Sequence, residues 1–291
     1  LLGCFISSSC FPKTSISEAL EQGGALASKR VELSAPHNYE PIEKINKIFR
    51  SYRQAGYEIL THNYFPPPIE DFVLNIATSN KHDYRLANQL VNNAIELSEV
   101  AGTSIYGLHA GYLYPSACEK NGEFKFSGEK MCYDEALNNA CQFVNEVFEK
   151  FSTKKIRLLI ENLFPGKDDK HSLFCSSNEM KDFFELVPDQ VGLLLDLGHL
   201  NITSNLWGIN REELLSDILL NFADRIYEVH LSENNGELDQ HKAVLEDSWQ
   251  LSAINILQKS VPNRLLFCLE ARNSNRDEIE RSLRLINEII E

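Results

Sequence analysis

Nine side chains in this sequence are of types that bind divalent metal ions, and they stand where short apolar runs stop or just beyond. They are His62, His109, Glu161, Asp196, His199, His230, Asp239, His241 and Glu270. Six of them close a run, in YEILTH (57–62), SIYGLH (104–109), IRLLIE (156–161), VGLLLD (191–196), RIYEVH (225–230) and RLLFCLE (264–270). One polar residue at a strand end is usually a satisfied group near the surface, and for His62 alone that is the better reading. Six endings of six, all His, Asp or Glu, are difficult to ascribe to chance. In a barrel the carboxyl ends of all strands open onto one face, which would bring these side chains into one pocket.

Three further residues fit the same pocket. Asp196-x-x-His199 puts a second ligand one turn beyond its strand, and Asp239-x-His241 follows the RIYEVH run within twelve residues of His230. Alternate residues of an extended segment point the same way, so Asp-x-His can bite one ion. Alone it is a weak signal, better taken as a solvated loop. Beside the other seven ligands it is expected to belong to the site. His37, His82 and His171 fall outside the pattern, His37 as a loop residue with a possible substrate contact. Trp207 and Trp249 are expected in core or rim packing.

The elements that must position these ligands alternate. Strands are predicted at 3–9, 30–35, 57–62, 104–109, 156–161, 191–196, 225–230 and 264–270. Several are continuously apolar, as parallel strands covered on both faces should be. Helices are predicted at 15–28, 41–54, 84–101, 133–152, 177–186, 210–222, 249–259 and 275–290. The last carries Ile279, Leu283, Ile286 and Ile290 at helical spacing, with Ser274 and Asp277 placed like a capping box. Eight strands alternating with eight helices point to an α/β fold, a (β/α)8 TIM barrel, with a doubly wound sheet as the rival. No composition shift or repeat divides the chain, so residues 1–291 are expected to form one domain. Around Asn121-Gly122, the 112–132 segment carries Tyr112, Tyr114, Phe124 and Phe126, and it reads as a hairpin lid or as ordinary packing.

Composition narrows the class. At 43% hydrophobic and 24% charged, the 291 residues are those of an ordinary soluble globular protein. No apolar run approaches the roughly 20 residues that span a bilayer. The opening LLGC is like the end of a lipoprotein signal, but GCFISSS is better expected as a first buried strand. Seven scattered cysteines without Cys-x-x-Cys argue for reduced thiols in a cytoplasm. A net charge of −14 speaks against broad nucleic-acid binding and leaves room for a locally basic groove.

Taken together, ILTHNY, LNIATSN, GLHAG, LIENLFPG, LLDLGHLN, EVHLSENNGELDQHKAV and LEAR resemble, in order, the motifs of the xylose isomerase-like barrels. That family includes endonuclease IV and the sugar isomerases and epimerases. The resemblance to endonuclease IV implies up to three ions. His62, His109 and Glu161 would hold the first, and Glu161, Asp196, His230 and Glu270 the second. His199, Asp239 and His241 would hold the third. The isomerase branch implies one Mn, Mg or Co ion in the Glu161, Asp196, His230 and Glu270 quartet. Mixed imidazole and carboxylate donors suit Zn, Mn or Fe better than Ca. The chain departs from the endonuclease in NLFPGKDD, in LNITSN and in the short loop from His230 to Asp239, and it lacks the epimerase arginine where SENNG stands.

Two functions follow. The first is a metal-dependent isomerase or epimerase of a sugar or sugar phosphate, with Glu161 and Glu270 as the proton-transferring pair. The alternative is a multi-metal phosphoester hydrolase, acting on abasic-site DNA or a small phosphoester. The acidic chain favours the first and disfavours DNA as a partner. The full set of nine ligands favours the second. A non-catalytic binding barrel is the weakest reading, and the oligomeric state is left open.

Overall fold

The computed structural model describes residues 3–118 and 124–290. Its strands are β1 (Phe5–Ser7), β2 (Arg30–Leu33), β3 (Glu58–Thr61), β4 (Ile105–His109), β5 (Ser116–Cys118), β6 (Phe124–Phe126), β7 (Arg157–Glu161), β8 (Gly192–Asp196), β9 (Ile226–Leu231) and β10 (Leu266–Leu269). All but β5 and β6 form one parallel sheet in the order β3-β2-β1-β10-β9-β8-β7-β4. The two edge strands meet through a parallel bridge between His62 and Gly107, which closes the sheet into a barrel. Asn63 completes the closure: its N–H donates to the Gly107 carbonyl at 2.8 Å, and its own carbonyl accepts the Tyr106 hydroxyl at 2.8 Å. Each of the eight barrel strands lies within or against a run expected from the sequence. The barrel, rather than the doubly wound sheet, is the fold.

Side-chain alternation along each strand sorts residues between the two faces of the barrel wall. Outward residues such as Ile6, Val31, Leu33, Ile59, Leu158, Ile160, Leu193, Leu195, Val229 and Leu231 pack beneath the helices in the main core. Inward residues from the lower half of the strands, Phe5, Leu60, Ile105, Leu159, Leu194 and Cys268, form a separate apolar cluster that fills the barrel. Two residues further along the same strands come His62, Glu161, Asp196 and Glu270. Gly107 is needed at the junction of the two layers. A Cβ there would lie 2.6 Å from Leu194 Cδ1 and 3.1 Å from His62 Nδ1.

The helices are α1 (Ile16–Leu26), α2 (Ile42–Gln54), α3 (Lys81–Ala101), α4 (Tyr133–Lys150), α5 (Ser177–Phe184), α6 (Leu197–Trp207), α7 (Arg211–Phe222), α8 (Trp249–Ser260) and α9 (Arg276–Ile290). In α9, Ile279, Leu283, Ile286 and Ile290 are buried as their spacing requires. Its cap differs from expectation. Asn275 accepts the Glu278 N–H at 3.1 Å while Glu278 returns a bond to the Asn275 N–H at 2.9 Å. Ser274, expected as the cap, instead accepts the Ala243 N–H at 2.8 Å. Helix α6 was not expected. Its LGHLNITSNLW sequence is rich in β-branched and Asn residues of low helix propensity, and Asp196 ends β8 and caps α6 at once.

The strands expected in the 112–132 segment exist: β5 and β6 pair antiparallel, Ser116 opposite Phe126. The Asn121-Gly122 turn between them lies outside the described residues. Among the described residues, no helix is long and apolar enough to cross a membrane.

Candidate metal centre

Every candidate ligand lies at the carboxyl end of the barrel. His109, Glu161 and Asp196 are the last residues of β4, β7 and β8. His62 and Glu270 follow β3 and β10 by one residue, and His230 is the penultimate residue of β9. Register places His109 opposite Glu161 and Asp196 opposite His230. All are buried except His109 and Asp239, which are partly so.

Glu161 is the hub. One carboxylate oxygen lies 3.3 Å from His62 Nε2 and 3.3 Å from His109 Nε2. The other lies 3.4 Å from His199 Nδ1 and 3.9 Å from His230 Nδ1. Across the pocket, His230 Nδ1 is 3.5 Å from Glu270 Oε2. Among the described residues, donor atoms gather within 4.8 Å of one another in four groups: His62, His109 and Glu161; Glu161, Asp196 and His199; Asp196, His230 and Glu270; and Glu32, His62 and His230.

Asp239 and His241 complete an outer trio with His199. Asp239 Oδ2 is 2.6 Å from His241 Nε2 and 3.7 Å from His199 Nε2. Both imidazoles are oriented alike. His199 Nδ1–H donates to the Asn162 carbonyl at 2.8 Å and His241 Nδ1–H to the Glu270 carbonyl at 3.2 Å, which leaves each Nε2 turned toward Asp239. Because Nδ1 of His199 is engaged in this way, the nitrogen it could offer an ion is Nε2, on the Asp239 side. The Arg272 guanidinium also touches His241 Nε2.

The donor set fits a divalent ion on structural grounds. His230 Nδ1, Asp196 Oδ2, Glu161 Oε2 and Asp239 Oδ1 are buried without a hydrogen-bond partner, at a cost that a coordinated cation removes. The carbonyls of Asn162 and Glu270 fix a hydrogen on Nδ1 of His199 and His241, and His109 Nδ1 is anchored on the Tyr112 hydroxyl at 2.8 Å.

Electrostatics follow from crowding these groups away from water. Burial pushes the Glu161 carboxyl up, but His109 and His62 outweigh it and hold Glu161 well below the usual carboxylate range. Burial and the charge of Glu161 raise Asp196 to about 6, against the pull of His199. Burial opposes a proton on His199, yet Asp196 and Asp239 raise that imidazole to about 10. Without metal, a proton on His199 therefore supplies part of the positive charge that a cation would bring.

Several contributors are not visible as strand ends. Asn162 spans β7 and β8, its amide donating to the Asp196 carbonyl at 2.9 Å and accepting the Asp196 N–H at 2.7 Å. Glu32 and Glu228 lie inside the barrel below the ligands, fully buried. The signal for both was present: a lone carboxylate within an apolar strand buried on both faces. His171, expected outside the site, stacks on Phe126 at 4.3 Å and lies edge-on to Phe164, whose ring is 5.0 Å from that of His199. His37 lies in the loop after β2, as expected, but it is buried there, with Nε2 2.9 Å from Ser8 Oγ, and burial lowers it to about 4. His82 lies on the exposed first turn of α3. Trp249 packs at the start of α8 beneath the Arg211 guanidinium, while Trp207 is partly exposed.

Comparison with known proteins agrees with this architecture. The chain is 22% identical over 223 residues to an uncharacterized protein of Methanocaldococcus jannaschii, covering 77% of this chain and 75% of that one. In fold it is similar to a D-tagatose 3-epimerase-like protein, at a TM-score of 0.73 and 20% identity, each chain covered in full (100%). It is also similar to an L-ribulose 3-epimerase, at a TM-score of 0.69 and 16% identity over 100% of this chain and 93% of the other. The family model for the xylose isomerase-like TIM barrel matches residues 27–289, from before β2 to the end of α9, and the chain belongs to that family.

Proposed function

We propose that this chain is a divalent-metal-dependent isomerase or epimerase of a sugar or sugar phosphate. The observation that carries the reading is the meeting of Glu161, Asp196, His230 and Glu270 from four consecutive strands, β7 to β10, with unpartnered donor atoms on three of them. Fold neighbours that bear the names of sugar 3-epimerases support it. A bound Zn, Mn or Fe ion would supply Lewis acidity toward a carbonyl and its adjacent hydroxyl.

The chain's own residues do the rest. Glu161 and Glu270 approach His230 Nδ1 at 3.9 and 3.5 Å, and neighbouring imidazoles hold both carboxyls below their usual range despite burial. Either can take the proton from the carbon beside a carbonyl, whose oxygen receives the C–H electron pair. For isomerisation that same carboxyl, now carrying the proton, returns it to the neighbouring carbon. For epimerisation the other carboxyl, after taking a proton from solvent, delivers it to the opposite face, and the first releases its own to solvent. Phe164 and the Tyr112–Phe126 pair give this mouth an apolar edge suited to a small molecule. We take residues 1–291 as one domain. Free cysteines at 4, 10, 132, 141, 175 and 268 suit a cytoplasmic enzyme.

A second reading, phosphoester hydrolysis at up to three ions, is favoured by the matched orientation of His199 and His241 toward Asp239. The double variant Asp239→Ala, His241→Ala separates the two. An isomerase keeps the ion of the quartet and still exchanges the substrate's carbon-bound proton with solvent. A multi-metal hydrolase loses about one equivalent of metal and orders of magnitude in rate, since metal stabilisation of transition-state charge is worth several kcal/mol. Metal-dependent cleavage of abasic-site DNA by the wild type, without proton exchange on any of a panel of sugars and sugar phosphates, overturns the leading reading.

A further inference from the structure

We infer that Glu32 is a positioning residue that sets the tautomer and basicity of His230, and through it the metal affinity of the site. This rests on the reading of Glu161, Asp196, His230 and Glu270 as ligands. Glu32 belongs to β2, separated from His230 on β9 by β1 and β10, so its side chain reaches across the barrel interior. Its Oε2 lies 3.2 Å from His230 Nε2, and both residues are completely buried. A carboxylate oxygen accepts and does not donate, so Nε2 carries the hydrogen. Nδ1 is then the nitrogen that can give a lone pair to an ion, and it is this buried, unpartnered atom that faces Glu270 at 3.5 Å and Glu161 at 3.9 Å.

The second oxygen of Glu32 is also engaged, accepting the Cys268 thiol at 3.5 Å. Cys268, Glu32 and His230 therefore form a chain that rises from the apolar plug to the ligand layer. Such an arrangement is costly, because barrel interiors are ordinarily filled by bulky apolar side chains and a buried carboxylate requires partners. A carboxylate that fixes a ligand imidazole and raises its basicity accounts for the placement. Glu228 supplies the contrast. It is equally buried and close by, yet its nearest oxygen is 4.0 Å from His230 Nε2, outside hydrogen-bond distance.

The test uses zinc. Metal-free wild type, Glu32→Gln and Glu228→Gln are titrated with zinc against a chromophoric chelator, and the zinc-loaded wild type is examined by NMR after 15N-histidine labelling. The expected spectrum has His230 coordinated through Nδ1 with hydrogen on Nε2. Glu32→Gln should bind zinc about 10- to 100-fold more weakly with its fold intact, and Glu228→Gln should keep the wild-type affinity. Coordination of His230 through Nε2, with an ion held between Glu32 and His62, overturns the inference. So does a Glu32→Gln protein that binds zinc like the wild type, or no more weakly than Glu228→Gln. Should Glu32→Gln fail to fold, the wild-type spectrum decides alone. Failure of the wild type to take up zinc overturns both this inference and the ligand reading. Zinc uptake in the expected tautomer without sugar turnover leaves this inference standing and removes only the proposed reaction.

Discussion

The barrel interior has two layers built on the same strands, with opposite chemistry. Below, Phe5, Leu60, Ile105, Leu159, Leu194 and Cys268 fill the space with little besides carbon and sulfur. Above, the residues two positions later on β3, β7, β8 and β10 are His62, Glu161, Asp196 and Glu270. The lower layer is stabilised by removing apolar surface from water, about 25 cal/mol per Å². The upper layer gathers carboxylates and imidazoles whose desolvation is opposed by one another and by a few anchoring groups such as the Asn162 and Glu270 carbonyls. The contrast teaches that one layer holds the strands at fixed separations so that the other can keep polar atoms unpartnered. The boundary is not clean, since Glu32 and Glu228 lie within the barrel below the ligands.

The largest expected effect comes from the hub of the upper layer. Glu161→Gln keeps the shape of the side chain and removes the charge that four histidines approach. It should abolish turnover and lower metal content, measured by elemental analysis, while circular dichroism shows a folded barrel. Unchanged metal content and activity would sink the assignment.

The lower layer should respond in the other currency. Leu194→Ala, at a fully buried position, should destabilise the fold by about 2–5 kcal/mol through lost transfer energy and a residual cavity. Denaturant unfolding measures this, and metal stoichiometry below the transition should match the wild type. If metal is lost with only a small change in stability, the two layers are not separable in the way their chemistry suggests.

A smaller effect is expected from pH. Burial opposes a proton on His199, but Asp196 and Asp239 push that imidazole up to about 10, so an ion held through His199 would have to displace a proton at neutral pH. Apparent metal affinity should then rise about tenfold per pH unit for each proton released, as pH climbs toward 10. Asp196, at about 6, adds a further loss below that pH, where its carboxyl takes up a proton. Affinity that stays flat between pH 7 and 9 would show that no protonated imidazole is a ligand.

Much of this molecule follows from the chain read as a string. The eight barrel strands are legible because parallel strands covered on both faces are nearly continuous apolar runs, and six of the nine candidate ligands are legible because each interrupts such a run at its end. Strong local patterns were accessible in this way, including the buried face of α9, although its cap at Asn275 was not. What the tertiary structure alone decided is non-local. Closure of β3 on β4 depends on Asn63 meeting residues more than forty positions away. Asp196 became a helix cap only because α6 forms directly after β8, against the weak propensity of its residues. The His199 and His241 rings were oriented by the carbonyls of Asn162 and Glu270, and His230 by Glu32, 198 positions distant along the chain. Sequence periodicity reports which face of a strand a residue occupies. It carries no information about which strand lies across the barrel, and it is there that a buried carboxylate finds the imidazole it must hold.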